Sequence, residues 1–84
     1  MDKAAKTEYL LSFIEQFRPK KRGRTYEYYK CDATLIAVAA FKLNLLEELV
    51  EYIERDKPKD LDTVTDWIDI RLNDIWGDPE EDDD

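Results

Sequence analysis

Four stretches of this 84-residue chain repeat apolar residues at spacings of three and four, and almost none alternates them with period two. That periodicity predicts amphipathic helices and offers no convincing strand. In the first stretch Leu10, Phe13, Ile14 and Phe17 share one stripe and Asp2 stands at a cap position. Pro19 disfavours helical angles at Arg18, so the helix is predicted over 3–17. The second stretch, 33–41, is apolar on every side, as suits the central helix of a small bundle, with Asp32 as its cap. Asn44 and Glu47 have the spacing of a variant capping box and open a third helix, with Leu45, Leu46, Leu49, Val50, Tyr52 and Ile53 facing inward. One long helix running through Lys42 is the alternative. A fourth helix runs from Asp60 or Asp62 to Trp76, burying Val64, Trp67, Ile68, Leu72 and Ile75, and Gly77 and Pro79 stop it. The predicted fold class is therefore all-α: a compact bundle of about four short helices forming one domain over 1–77. The acidic tail over 78–84 has nothing to bury and is expected to be disordered.

Charge is sorted along the chain. Residues 18–30 hold six basic side chains against the single acid Glu27, whereas residues 31–84 hold five against seventeen. The segments carry +5 and −12, and with −1 from residues 1–17 they make the formal net charge of −8. Such sorting bears on partners and solubility more than on fold. The basic segment resists placement: Tyr26, Tyr28 and Tyr29 either begin the second helix or form a short extended piece. Because a lone strand would have no partner, a basic loop over 18–30 leading into the helix is expected. With one cysteine and no apolar run long enough for a membrane span, the chain is expected to work in the cytoplasm.

Catalytic chemistry finds little support in the residue types. The absence of histidine removes the usual base at neutral pH and the triads that depend on it, and one cysteine without histidine does not make a zinc site. The only glycine near acids, Gly77, lacks the spacing of a calcium loop, and Lys21, Arg22, Gly23 and Arg24 lack that of a phosphate loop. Cys31 has two possible settings, a reactive thiol near Lys30 at a helix start or a packed, inert one beside Leu35; the packed setting is expected. The chain is accordingly predicted to be no enzyme and to use no cofactor or metal. Helix-turn-helix recognition of DNA is disfavoured as well, since a recognition helix over 45–56 would direct Glu47, Glu48, Glu51 and Glu54 at phosphates.

Binding is the function class that remains. Glu47, Glu51 and Glu54 recur at i, i+4 and i+7 on the third helix, and Asp62, Asp66 and Asp69 repeat the pattern on the fourth. Successive carboxylates four residues apart lie about 6 Å apart along a helix axis. Two such rows and the tail begin to approach the charge density of a nucleic acid. In size, charge and helical composition, though in no sequence motif, the chain is similar to the acidic phage proteins that occupy the nucleic-acid-binding surfaces of restriction and CRISPR systems. The expectation is a small, acidic, non-catalytic inhibitor or adaptor that binds a protein with a basic, nucleic-acid-handling surface through those six carboxylates and the tail. The alternative is a nucleic-acid-binding accessory protein. It would use Lys20, Lys21, Arg22 and Arg24 on phosphates and Tyr26, Tyr28 and Tyr29 as stacking faces. The basic segment either serves such a partner or folds back onto the acidic helices. Trp76 and the tyrosines either cap the ends of the bundle or anchor a partner.

Overall fold

A computed structural model describes residues 1–76 and shows four helices, α1 (Lys3–Glu15), α2 (Arg24–Phe41), α3 (Leu46–Asp56) and α4 (Leu61–Trp76). The all-α class read from the periodicity is the observed one. The expectations for the stop at Gly77 and Pro79, the side chain of Trp76 and the tail over 78–84 lie outside the described residues. Helix α2 is the hub, packing against both α3 and α4, while α1 packs on α3. Every helix contributes a fully buried side chain: Leu10 from α1, Ile36 from α2, Leu49 from α3, and Val64 and Ile68 from α4. None of these helices is long and apolar enough to cross a membrane.

Helix α1 begins as its sequence implies, with an Asp2 carboxylate oxygen accepting from the Ala5 N–H at 2.8 Å. It ends at Glu15, two residues early. There the Phe17 and Arg18 N–H groups donate to Ile14 and Glu15 at 3.1 and 3.0 Å, so the last turn tightens from i−4 to i−3 bonding ahead of Pro19. Phe17 still packs edge-on against Phe13, with 5.1 Å between ring centres.

Helix α2 differs most from the expectation. It starts at Arg24, nine residues before Ala33, so the loop is residues 16–23, and Asp32 lies within the helix and does not cap it. The inward stripe runs through Tyr26, Tyr29, Ala33, Ile36 and Ala40, spaced three, four, three and four. The first two turns thus continue the core face of the later ones, behind an outer surface of Arg24, Thr25, Glu27, Tyr28 and Lys30. Nor is α2 buried all round: Leu35, Val38 and Phe41 are each at least 38% exposed. Three neighbouring helices do not surround it, because α1 packs chiefly on α3.

Two helices, not one, follow from Arg24 to Asp56. Asn44 adopts a left-handed conformation (φ 66°), which asparagine tolerates better than most residues. The Leu43 N–H donates back to Val38 at 3.1 Å and that of Leu45 to Ala39 at 3.0 Å, which closes α2. The capping box does not form. Leu45 occupies the position before α3, and no side chain caps that helix. Lys57 ends α3 with a second left-handed backbone (φ 49°), just before Pro58. Asp60 caps α4, one carboxylate oxygen accepting from the Thr63 N–H at 2.9 Å and from its hydroxyl at 2.7 Å. Helix α4 buries Leu61, Val64 and Ile68, with Trp67 and Leu72 partly covered; Ile75, expected inside, is 48% exposed beyond the reach of its neighbours.

Candidate functional site

The six row carboxylates are all on exposed residues, but they are not equivalent. Glu47 is bound to Lys6 of α1 at 2.8 Å, and this hydrogen-bonded ion pair holds its carboxyl below the usual range. It also stands in the first turn of α3, where a negative charge complements the helix dipole. Its position therefore has a structural use. None of the ion pairs among the described residues involves Glu51, Glu54, Asp62, Asp66 or Asp69. Helices α3 and α4 are joined by Glu48 and Arg71 at 2.6 Å and by Tyr52 stacked on Trp67, with ring centres 4.7 Å apart and planes 12° from parallel. The helices that carry the rows are thus held together by side chains of their own.

The basic and aromatic patch is engaged within the chain only in part, chiefly through two of its tyrosines. Lys20, Lys21, Arg22 and Arg24 are exposed. Tyr29, however, is buried and lies beneath the Arg18 guanidinium at 5.5 Å, and the partly buried Tyr26 faces Arg22 at 5.1 Å and Lys30 at 6.0 Å. Arg18 is clamped in turn by Glu15, through contacts of 2.6 and 3.1 Å that lower the Glu15 carboxyl. Tyr28 alone of the three keeps an open ring, at 64% exposure. The loop turns back beside the start of α4, yet among the described residues no ion pair joins it to the acids of α3 or α4. The tyrosines hold the loop to the bundle through cations of the same segment.

Cys31 corrects the expectation of a packed thiol. It is exposed, in the interior of α2 and not at its start. It faces a shallow apolar surface with Leu35 and Val38, bordered by the Glu27–Lys30 pair at 4.0 Å. Neither setting considered for it is the observed one, since the helix start whose dipole would act on the thiol lies two turns away.

Sequence reasoning missed a groove. Where the α1–α2 loop, the front of α2 and the start of α4 converge, about 550 Å³ opens between Phe17, Pro19, Tyr28 and Leu61, with Asp32, Asp60 and Asp62 on its lining. The signal available was Asp32, read as a cap only because α2 was begun too late. Its carboxyl is pushed up by partial burial and then by the negative charges of Asp62 and Asp60. Among the described residues no group of three or more metal-ligating side chains is arranged to hold a metal ion. No known protein family, curated protein or solved structure matches the chain.

Proposed function

We propose that this chain is a small acidic binding protein that acts without catalysis by occupying the basic surface of a nucleic-acid-handling protein. The observation that carries the reading is the contrast between two charged surfaces. Glu51, Glu54, Asp62, Asp66 and Asp69 are presented to solvent without cationic partners among the described residues, whereas two of the three tyrosines of the basic patch, Tyr26 and Tyr29, lie against the chain's own cations and only Tyr28 keeps an open ring. An unpaired row retains its field for an approaching partner; a buried ring under a guanidinium, as Tyr29 is, cannot stack a base, and Tyr26 has one face taken. Rows of carboxylates spaced like sparse phosphates suit a decoy for DNA or RNA, in the manner of phage inhibitors of restriction or CRISPR enzymes. Such a protein would work in the cytoplasm, the host's if it is phage-encoded.

The test is affinity capture with the wild-type chain, with E51K/E54K/D66K/D69K, and with K20Q/K21Q/R22Q, followed by challenge of the captured protein with duplex DNA and single-stranded RNA. The expected result is a basic protein held by the wild type and by the glutamine variant, lost by the lysine variant, and released by nucleic acid. Direct, salt-sensitive binding of DNA or RNA that vanishes in K20Q/K21Q/R22Q would overturn the reading in favour of an accessory protein that binds through its basic segment.

A further inference from the structure

The groove between the α1–α2 loop, the front of α2 and the start of α4 belongs to neither charged surface as read from the sequence. Its lining joins apolar and aromatic side chains to three carboxylates, and its volume lies within the range of small-ligand clefts. One oxygen of Asp60 is already engaged, accepting from Thr63, which leaves Asp32 and Asp62 as the acceptors with both oxygens uncommitted. Among the described residues no ion pair of the chain reaches either of them, although Lys20 and Lys21 stand exposed on the adjacent loop. We propose that this groove receives an arginine side chain of the protein partner, with the guanidinium between Tyr28 and the carboxylates of Asp32 and Asp62. The assignment rests on the partner being a basic protein, as argued above.

Three considerations favour this occupant. A cation beside Asp32 offsets the repulsion that Asp62 and Asp60 impose on it, which an apolar or anionic guest would not do. Arginine suits the groove better than lysine because the guanidinium is planar, weakly hydrated and able to stack on a ring while donating to a carboxylate, whereas an ammonium keeps its water and meets a ring as a point charge. The fold also contains the same arrangement: Arg18 lies over Tyr29 while it donates twice to Glu15. Asp62 begins the α4 row, so an arginine seated in the groove would set the register of the partner along that helix.

The experiment is a titration of the isotopically labelled full chain with N-acetyl-arginine amide, followed by amide and carboxyl NMR. N-acetyl-lysine amide and N-acetyl-citrulline amide serve as controls. Saturable shifts are expected at Tyr28, Asp32 and Leu61, with little at Glu51 and Glu54, and the Asp32 carboxyl should titrate at lower pH when the site is filled. Asp32→Asn and Tyr28→Ala should each weaken binding by about tenfold, the scale of one charge-assisted or cation–π contact. Both variants should fold, since Tyr28 is exposed and asparagine matches aspartate in size. Equal binding of the lysine amide would overturn the arginine assignment. Shifts that fail to saturate, or that survive both substitutions, would overturn the site. A variant confined to α3, E51K/E54K, separates this result from the partner reading: it should keep the arginine amide even where it loses the protein partner.

Discussion

At the scale of single residues, the chemistry depends on whether a side chain faces the core, and that was legible only where its helix had been bounded correctly. Leu10, Phe13, Ile14, Leu49, Val64 and Ile68 lie inside as their spacing implies. Cys31 was misplaced because its neighbours Leu35 and Val38 were taken for core, and all three lie on the outer face of α2. The change of face changes the prediction. A buried thiol replaced by serine would cost about 1–2 kcal/mol through an unsatisfied hydroxyl, but at an exposed position water satisfies that hydroxyl. Cys31→Ser should therefore change the unfolding free energy measured by urea denaturation by no more than about 0.5 kcal/mol, the range of ordinary surface substitutions. An alkylating reagent should modify Cys31 stoichiometrically in the folded chain. Protection that is lifted only by denaturant would show the thiol to be packed after all.

At the scale of elements, stripes of large apolar residues were enough to find four helices but not to bound them. The front of α2 escaped because its inward residues are Tyr26 and Tyr29, whose spacing continues that of Ile36 and Ala40 but whose neighbours are nearly all polar or charged. The α2–α3 break was placed correctly for the wrong reason. Asn44 acts through its left-handed backbone and not as a cap, and sequence spacing cannot tell these two uses of asparagine apart. Two substitutions distinguish them. Asn44→Thr puts a β-branched residue that caps well at positive φ and should cost about 1–2 kcal/mol, whereas Asn44→Gly should be nearly neutral; a capping role would leave both nearly neutral. At Lys57, which has no claim to a capping role, Lys57→Gly relieves about 1–2 kcal/mol of left-handed strain and adds about 0.5–1 kcal/mol of chain entropy to the unfolded state. Relief wins, so stability measured by denaturant unfolding should rise by about 0.5–1 kcal/mol.

For the whole molecule, the open question is whether its charges hold it together or push it apart. Lys6–Glu47, Arg18–Glu15 and Arg71–Glu48 are attractive, but none is fully buried, and exposed pairs contribute about 0–1 kcal/mol each. Against them stands a net charge of −8, with five row carboxylates lacking cationic partners among the described residues and Asp32 crowded by Asp60 and Asp62. Range decides between them. An ion pair at 2.6–2.8 Å lies well inside any Debye length, whereas repulsion between carboxylates on different helices acts over many ångströms. At 10 mM salt the screening length is about 30 Å, longer than the roughly 27 Å of the 18-residue α2, so carboxylates on neighbouring helices feel one another. At 150 mM it is about 8 Å, and most of that repulsion is gone while the close pairs persist. The melting temperature should therefore rise as sodium chloride is raised from 10 to 150 mM, and the E51K/E54K/D66K/D69K variant, which reverses four of the repelling charges, should show a much smaller rise. A wild-type melting temperature that falls with salt would mean that the ion pairs outweigh the repulsion, and that the unpaired rows do not carry the long-range field by which a basic partner would be drawn in.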